Sequence, residues 1–301
     1  MEKWTTDNIP DLSGKTMLVT GANSGIGFET SLALAKKGAH VIMACRDHRK
    51  ADEAKKRLTH VVPAARITLV TLDLADLDSV RKCVETVRQT NNKLDVLINN
   101  AGVMATPYSK TKQGFEMQIG TNYLGHYALT GLLLPLLLAT PGSRIVSLSS
   151  LGANYGKLDL EDIMSEHKKY KTYDAYSQAK LANLVFAVEL ARKLEASRSD
   201  TMSIAVHPGG SPTNLQRTSG FLMARIITPL LSQAADKAAL PSLLAATDPT
   251  VSNGSYWGPT GFMKLKGFPG PAAIPKQAND LAAASRLWEL GEKLTGVNYS
   301  F

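Results

Sequence analysis

Short β-rich runs alternate with longer segments of helical period along most of this 301-residue chain. Such alternation indicates a parallel sheet with helices packed on both of its faces. The predicted strands cover residues 16–20, 40–45, 66–72, 95–99, 144–148, 203–207 and 254–257. The predicted helices cover residues 25–37, 49–58, 77–90, 114–138, 174–194 and 281–294.

No linker, repeat or shift in composition divides the chain, so we expect residues 1–301 to form one domain. With 44% hydrophobic and 20% charged residues, the composition is that of a soluble protein with a large core. The predicted fold class is α/β, a doubly wound Rossmann fold with a parallel sheet of about seven strands and helices on both faces.

The chain carries a net charge of +8, from 34 Lys and Arg against 26 Asp and Glu. Its densest basic stretch, residues 46–57, also contains Asp47, Asp52 and Glu53 and has no aromatic residues that could stack on bases. Basic residues mixed with acidic ones are typical of solvated helix faces. We therefore expect no nucleic-acid partner.

The two cysteines, Cys45 and Cys83, cannot build a disulfide framework, and the six histidines are scattered singly. We expect neither a structural metal nor a metal cofactor. Residues 1–14 are polar and lack the apolar run of a signal peptide, and the longest apolar run, residues 131–139, is too short to span a bilayer. The sequence therefore predicts a cytoplasmic protein.

A glycine-rich turn, TGANSGIG at residues 20–27, joins the first predicted strand to the first predicted helix. Gly21 allows a sharp turn, Gly25 lets the backbone approach a pyrophosphate, and Gly27 permits close packing of helix on strand. The free N–H groups at the helix N-terminus favour a phosphate there. This context predicts a dinucleotide site, although an ordinary strand-to-helix turn of small residues has the same local pattern.

Tyr176 and Lys180 are four residues apart in a segment of helical period, so both side chains project from one helix face. A nearby ammonium favours the phenolate, so we expect it to lower the pKa of Tyr176 and to make this residue an acid or base near neutral pH. Tyr108 and Lys112 repeat the spacing in a predicted loop, where no helix face aligns them. We interpret this second pair as a coincidence.

Several motifs in the same order resemble the short-chain dehydrogenase/reductase family. The resemblance extends from residue 12 to residue 213, and several segments within it are most similar to the branch of the retinol dehydrogenases and the WW-domain oxidoreductases. Light-dependent protochlorophyllide reductases are more distantly similar. The motifs are G-x3-G-x-G at 21–27, Asp73-Leu74, N-N-A-G at 99–102, Asn122, Ser149-Ser150, Y-x3-K at 176–180 and Pro208-Gly209.

This resemblance implies a nicotinamide dinucleotide held along the carboxyl ends of the strands. For Asp73 a helix N-cap is the alternative, and for Asn99 and Asn100 it is the satisfaction of loop backbone groups. The implied cofactor-binding residues are Gly21, Asn23, Ser24, Gly25, Ile26, Gly27, Arg46, Asp73, Leu74, Asn100, Ala101, Gly102, Tyr176, Lys180, Pro208, Gly209 and Thr213.

The end of the second predicted strand bears on the choice of cofactor. Dehydrogenases that use NAD place a carboxylate there for the ribose hydroxyls, but this chain has Cys45 followed by Arg46. An arginine can clamp a 2′-phosphate and stack on adenine. We predict NADP(H). A shift of one residue would bring Asp47 into this position and favour NAD(H), and Arg46 as a solvated loop residue is the plain alternative.

The family pattern implies that Asn122, Ser150, Tyr176 and Lys180 are catalytic. Tyr176 would pass the proton, Ser150 would polarise the substrate oxygen, and Lys180 would orient the ribose and tune Tyr176. The family asparagine at position 122 is thought to hold a water that relays protons to the lysine, with a helix kink as the alternative. Ser149 is interpreted as a structural hydrogen-bonding residue, and His126 and His207 as packing or capping residues.

In this family the segment at residues 210–232 closes over the substrate, and here it is rich in Leu, Ile, Phe and Met. An apolar lid favours an apolar substrate, although an amphipathic helix that packs on the core or touches a membrane surface fits equally well. Ser211 and Pro212 depart from the branched apolar residue usual in the family near the nicotinamide. The branch implies interconversion of a small hydrophobic carbonyl compound and its alcohol.

A different hypothesis is a catalytically idle sensor or scaffold that binds NADP(H) without turning it over, because the fold alone does not imply chemistry. The complete catalytic set argues against it. The helices at 114–138 and 174–194 resemble those that pair subunits in the family, so we expect a homodimer or homotetramer. The last predicted part of the domain is a carboxyl-terminal helix and tail at 277–301, after the cofactor-binding and catalytic core at 12–208.

Overall fold

The computed structural model describes residues 3–210 and 233–301, which share one mostly parallel sheet. Seven of the strands lie where the β-rich runs predicted them, within one or two residues at each end. The strands are β1 (Thr16–Thr20), β2 (His40–Cys45), β3 (Arg66–Thr71), β4 (Val96–Asn99), β5 (Arg144–Leu148), β6 (Met202–Val206), β7 (Tyr256–Pro259) and β8 (Pro269–Pro271).

The sheet has the strand order β3-β2-β1-β4-β5-β6-β7-β8, and β1 to β7 are parallel. This confirms the predicted α/β Rossmann-type fold, but the described residues contribute eight strands to the sheet, where about seven were expected. The additional strand, β8, runs antiparallel to β7 at the edge of the sheet. It has only three residues, two of them prolines, and proline is confined to sheet edges because it lacks an N–H donor.

Helices cover both faces of the sheet. They are α1 (Gly25–Lys36), α2 (His48–Val61), α3 (Leu77–Thr90), the single turn α4 (Met117–Ile119), α5 (Gly125–Leu138), α6 (Thr172–Ala196), α7 (Ala235–Thr247) and α8 (Leu281–Thr295). One core, with α1, α2 and α7, contains the buried Leu34, Leu58 and Leu243. The opposite core contains α3, α5 and α6, and α8 packs over α5 and α6.

The helix predicted at residues 114–138 begins later and is not uniform. Gly114 has a φ of +85° in a turn, and the buried Glu116 caps α4 by accepting hydrogen bonds from the N–H groups of Gln118 and Ile119. Residues Gly120–Leu124 then form a π-helical turn that leads into α5. A π turn is a local widening that hydrophobic period does not reveal, and it occurs frequently at functional sites.

Two further predictions are the substrate lid with Thr213 and the lack of a membrane-spanning segment. Thr213 and the predicted substrate lid, apart from Gly210, lie outside the described residues. Within residues 3–210 and 233–301, no helix combines the length and the apolar character that a bilayer crossing requires.

Candidate active site

A cleft of about 590 Å³ lies at the carboxyl ends of the strands, on both sides of the β1–β4 pair where the strand order reverses. Open α/β sheets bind ligands at this position. The cleft brings together nearly all of the residues that the sequence predicted. Those that line it are Gly21, Asn23, Ser24, Gly25, Ile26, Gly27, Arg46, Asp73, Leu74, Asn100, Ala101, Gly102, Ser150, Tyr176, Lys180, Pro208 and Gly209.

The turn between β1 and α1 has the backbone that its glycines predicted. Gly21 and Gly25 have φ values of +67° and +54°, which favour glycine. A Cβ on Gly27 would stand 2.5 Å from the main-chain oxygen of Gly21, so only glycine permits this contact between helix and turn. The N-cap residue Ser24 makes no side-chain capping bond, and the N-terminus of α1 therefore offers N–H donors to a phosphate in the cleft.

Asn100 joins two strand ends at the floor of the cleft. Its Nδ2 donates to the main-chain oxygen of Thr20 at 2.7 Å, and its own main-chain N–H donates to Thr20 Oγ1 at 2.9 Å. Asn99 turns to the other side and donates to Thr130 Oγ1. Satisfaction of loop backbone groups and shaping of the cleft are thus combined in Asn100.

At the end of β2, Arg46 lines the cleft and is exposed, whereas Cys45 is buried. Asp47 is the N-cap of α2, and its side chain accepts a hydrogen bond from the N–H of Lys50 at 3.0 Å. A carboxylate held by its own helix is not directed at a ribose in the cleft. This arrangement supports the alignment of Arg46, and not of Asp47, with the cofactor-selecting position.

Asp73 follows β3 and lines the cleft together with Leu74. Its Oδ1 accepts a hydrogen bond from the N–H of Ala75 at 3.0 Å, which shapes the loop. The N-cap of α3 is Asp76, so the alternative interpretation of Asp73 as the helix cap is wrong. Asp73 lines the cleft, and its part in cofactor binding, which the resemblance implies, stays a prediction.

Tyr176, Lys180 and Ser150 meet at the opposite end of the cleft from Arg46. Tyr176 and Lys180 project from the same face of α6, with Lys180 Nζ 6.0 Å from the centre of the Tyr176 ring. The hydroxyl of Ser150 lies beside Tyr176 and accepts a hydrogen bond from the N–H of Gly152 at 3.1 Å. An acid, an amine and a hydroxyl therefore face one small volume.

Burial controls the protonation of this pair. It raises the pKa of Tyr176, and the hydroxyl of Ser150 opposes that shift. Burial also lowers the pKa of Lys180 to about 8, and the ammonium donates to the main-chain oxygen of Leu148 at 3.1 Å. The expectation that Lys180 lowers the pKa of Tyr176 is therefore corrected for the protein itself, because burial is the largest influence on the phenol and raises its pKa.

Ser149 and Ser150 are adjacent, but their side chains serve different purposes. Ser149 Oγ donates to the main-chain oxygen of Lys180 at 2.7 Å and is 2% exposed, which ties β5 to α6. Ser150 is partly exposed and lies beside Tyr176. Both residues line the cleft, and the hydrogen bond of Ser149 to α6 agrees with its interpretation as a structural hydrogen-bonding residue.

Asn122 does not line the cleft, unlike the other predicted catalytic residues. It is 0% exposed within the π-helical turn. Its side chain forms a pair of hydrogen bonds with Val103, accepting from the N–H at 2.8 Å and donating to the carbonyl oxygen at 2.9 Å. The amide holds the loop after β4 with one N–H donor and its oxygen, and its predicted part in a water relay stays a prediction.

The second Y-x3-K pair lies away from the cleft. Lys112 forms ion pairs with Asp76 and Asp78, and Tyr108 packs edge-on against Tyr170. This position away from the cleft agrees with the interpretation of the Tyr108 and Lys112 spacing as a coincidence. His207, predicted to pack or cap, lies beside the Tyr256 ring, and its Nδ1 accepts a hydrogen bond from the N–H of Gly209 at 3.3 Å.

The structure adds lining residues that sequence reasoning missed. Leu265 reaches the cleft from the loop between β7 and β8, where its main-chain oxygen accepts a hydrogen bond from the N–H of Gly210. Leu265 is more than fifty positions away in the sequence from Gly210, so no local sequence signal could have predicted that it lines the cleft. Other added residues follow predicted motifs directly, and their position in the chain was the available signal: Val103, Met104 and Leu151.

Comparisons with known proteins identify the family of this chain. Residues 15–220 match the family model of the short chain dehydrogenases. Retinol dehydrogenase 14 of Mus musculus is 41% identical over 303 residues, which cover 95% of this chain and 87% of the relative. Retinol dehydrogenase 13 of Homo sapiens is 39% identical over 295 residues, covering 95% and 86% of the two chains.

A solved structure is similar over the whole chain. The crystal structure of an uncharacterized protein from Mycobacterium paratuberculosis has a TM-score of 0.84 and 39% identity, and it covers 99% of this chain and 100% of that chain. Because the family model matches more than half of the chain and the relatives align with nearly all of it, this protein belongs to the short-chain dehydrogenase family and is an oxidoreductase similar to the retinol dehydrogenases.

Proposed function

We propose that the protein is an NADP(H)-dependent oxidoreductase that interconverts a hydrophobic aldehyde or ketone and its alcohol. The observation that carries this proposal is the arrangement of one cleft. A glycine turn and Arg46 form one end of it, and Tyr176, Ser150 and Lys180 form the other. A dinucleotide of extended shape would have its phosphates at the first end and its reactive ring at the second.

The chain's own groups divide the work of proton transfer. When bound, the cofactor supplies a hydride donor and acceptor at its nicotinamide ring. Ser150 would donate a hydrogen bond to the substrate oxygen and stabilise the charge that develops there. Tyr176 would give its proton to that oxygen during reduction and take it back during oxidation. Because burial raises the pKa of Tyr176, the phenol is protonated at neutral pH, as reduction requires.

Lys180 and Asn122 would hold the cofactor and the cleft wall in place without taking part in the transfer of the proton from Tyr176. The ammonium of Lys180 is fixed by the oxygen of Leu148, and in the proposed complex it would hold the ribose hydroxyls next to the nicotinamide. Asn122 holds Val103 in the cleft wall by two hydrogen bonds.

The preference for NADP(H) rests on the end of β2. Arg46 can form charge-assisted hydrogen bonds with a 2′-phosphate, whereas Asp47 is engaged as a helix cap. A carboxylate in the place of Arg46 would repel that phosphate. NAD(H) is the less favoured alternative.

The preference for an apolar substrate rests on three apolar side chains that line the same cleft as Tyr176. Met104, Leu151 and Leu265 line the same cleft, and apolar walls favour ligands that are removed from water. The relatives named retinol dehydrogenases are consistent with a substrate of this class. Retinal-like aldehydes are therefore the first candidates.

The test is NADPH oxidation by the purified protein with retinals, long-chain aldehydes, steroids and quinones. We expect turnover of at least one apolar carbonyl compound, and we expect Tyr176→Phe to lower kcat by about 10²- to 10⁴-fold. The dissociation constant of NADPH should stay within about twofold, because the hydroxyl is needed for chemistry and contributes little to cofactor affinity. Wild-type rates in Tyr176→Phe would refute the role of this residue.

The idle sensor or scaffold is distinguished by the same experiment. Tight NADPH binding by the wild-type protein without oxidation of any compound in the panel would favour it over the enzyme. The catalytic groups that line the cleft support the enzyme, because a binding protein has no use for an acid beside a hydroxyl at the nicotinamide end.

A further inference from the structure

His126 is a buried residue of α5 whose two ring nitrogens both form hydrogen bonds. It is 2% exposed, one helical turn after Asn122. Its Nδ1 lies 2.9 Å from the main-chain oxygen of Asn122, and its Nε2 lies 2.9 Å from Thr20 Oγ1. Because a carbonyl oxygen can only accept, Nδ1 carries the proton. In a neutral ring Nε2 is then an acceptor, and the hydroxyl of Thr20 is its donor.

The other contacts of Thr20 support a neutral His126 ring with its proton on Nδ1. Its Oγ1 already accepts two main-chain N–H groups, those of Asn100 and Ala101, both at 2.9 Å. A charged imidazolium would add a third donor to an oxygen that has two lone pairs, and the hydroxyl proton would then have only the main-chain oxygen of Ile98, at 3.4 Å, as its acceptor. Burial lowers the pKa of His126 to about 4, and the nearby Lys180 acts in the same direction. The ring is therefore neutral at physiological pH.

The two partners of His126 hold the two ends of one wall of the cleft. That wall is the segment 100–103, all four residues of which line the cleft. Thr20 Oγ1 binds the first two N–H groups of the segment. The side chain of Asn122 binds its last residue through both the N–H and the carbonyl oxygen. His126 thus connects both residues that fix this wall, although it does not itself reach the cleft.

We infer that His126 is a positioning residue for the nicotinamide cofactor. By holding Thr20 and Asn122 at a fixed separation, the rigid imidazole keeps the segment 100–103 at the spacing that a bound dinucleotide needs. Sequence reasoning assigned His126 only to packing or capping. The inference rests on the proposed function, since it assumes that NADP(H) occupies the cleft. It concerns affinity for the cofactor and leaves the proton transfer to Tyr176.

Three substitutions separate the two contacts of the ring. His126→Asn places an amide N–H near the position of Nδ1 and can retain the bond to Asn122. His126→Gln places its amide near the position of Nε2 and can retain the bond to Thr20. His126→Leu removes both bonds. For each variant we would measure the NADPH dissociation constant by calorimetry, the KM for NADPH, kcat and Tm.

We expect His126→Leu to raise the dissociation constant and the KM for NADPH by about tenfold, the effect of losing one or two buried hydrogen bonds. Asn and Gln should each give a smaller increase, because each retains one contact. At saturating NADPH, kcat should stay within about threefold of the wild type, since the catalytic groups are unchanged. This division between KM and kcat is the signature of positioning for cofactor binding.

Thr130→Val is the matched control. Thr130 lies in the same helix one turn further on, is 0% exposed, and accepts a hydrogen bond at 2.9 Å from Asn99, just before the wall segment. This change removes a buried hydrogen bond at the same strand end without touching the segment 100–103. We expect it to lower Tm as His126→Leu does, with the NADPH dissociation constant within about twofold of the wild type.

The outcomes that overturn the inference are distinct from failure of the proposed function. Equal NADPH affinity in the wild type and in all three His126 variants, with only Tm lowered, would make His126 merely structural. So would an equal loss of affinity in Thr130→Val. If His126→Leu does not fold, wild-type affinity in both the Asn and Gln variants overturns the inference. Absence of NADPH binding in the wild-type protein would refute the proposed function itself.

Discussion

At the end of β2, the neighbouring residues Arg46 and Asp47 have different structural roles. Arg46 lines the cleft, and Asp47 caps α2. We expect Arg46→Asp to raise the KM for NADPH by about 10- to 100-fold, because a charge-assisted contact with a 2′-phosphate is replaced by repulsion. The KM for NADH should change much less. Steady-state kinetics with both cofactors and one active carbonyl compound measures this change.

Arg49→Asp is the control for this substitution. Arg49 is exposed, forms an ion pair with Glu53 on α2 and does not line the cleft. The same reversal of charge three residues away should leave the ratio of the two KM values within about twofold, since exposed charges are screened at this distance. Equal effects of the two substitutions would mean that net charge, and not a contact of Arg46, sets the preference.

Lys180 links catalysis to stability. Burial lowers its folded-state pKa to about 8 from 10.5, so its ammonium form at pH 7 opposes folding by on the order of 3 kcal/mol. We expect Lys180→Met to abolish turnover and to raise the free energy of unfolding at pH 7. The oxygen of Leu148 would still accept a hydrogen bond from Asn183. Urea denaturation of both proteins measures the difference.

The pH dependence of this difference has a definite sign. Between pH 8 and pH 10.5 the unfolded chain binds more protons at Lys180 than the folded one, so the wild-type protein gains stability relative to Lys180→Met as pH rises. The gap between the two proteins should therefore narrow over this range. A constant gap from pH 7 to pH 10 would show that Lys180 is not the titrating group.

Among the elements, the β1–α1 unit depends on contact at a single glycine. A methyl group on Gly27 would meet the main-chain oxygen of Gly21 and the Nδ2 of Asn100, both at 2.5 Å. We expect Gly27→Ala to lower the free energy of unfolding by about 1–3 kcal/mol, because an overpacked contact forces the backbone apart. It should also weaken NADPH binding. Denaturation and calorimetry on the same sample test both effects.

Gly142→Ala separates this clash from simple backbone strain. Gly142 has a φ of +67°, but a Cβ there meets nothing within 4 Å. Its substitution should cost about 1 kcal/mol of stability and leave NADPH affinity unchanged. An equal loss of affinity at Gly142 would show that global destabilisation, and not the local contact at Gly27, weakens cofactor binding.

On the scale of the whole molecule, α8 and the carboxyl-terminal tail pack over α5 and α6. These are the helices that the resemblance assigned to subunit pairing. Trp288 of α8 stacks on Phe186 of α6, and Tyr299 donates a hydrogen bond to the main-chain oxygen of Tyr127 in α5 at 2.7 Å. Gly131 is in contact with the tail, and a Cβ there would lie 2.6 Å from the Tyr299 ring. Among the residues that the structure describes, this face of α5 and α6 is in contact with α8 and the tail of the same chain, which compete with a second subunit for it.

We therefore expect a monomer, contrary to the homodimer or homotetramer predicted from sequence, and light scattering after size exclusion measures this. Trp288→Ala should lower the free energy of unfolding by about 3–5 kcal/mol, because it opens a large cavity over α5 and α6. Leu281→Ala in the same helix, at a side chain that is 64% exposed, should change it by less than about 0.5 kcal/mol. A wild-type dimer would contradict the prediction of a monomer.

Features that depend on residues close together in the sequence were predictable, whereas contacts between distant parts of the chain were not. Seven strands and most of the helices were predictable because β-rich runs and helical period reflect burial on a sheet face, but α7 and β8 were not predicted. Pro269-Gly270-Pro271 has no strand signal apart from its partner β7. The pair Tyr176 and Lys180 was predictable from helix geometry. Leu265 and the contact between Thr20 and His126 were not, because they join distant parts of the chain.

The sequence by itself determined the fold class, the glycine turn and the helix face that carries Tyr176, since each depends on neighbours within a few residues. The tertiary structure alone decided that burial raises the pKa of Tyr176, that Asp47 is occupied as a cap while Arg46 faces the cleft, and that α8 covers α5 and α6. These properties arise from solvent exclusion and from long-range contacts, which exist only once the chain is packed.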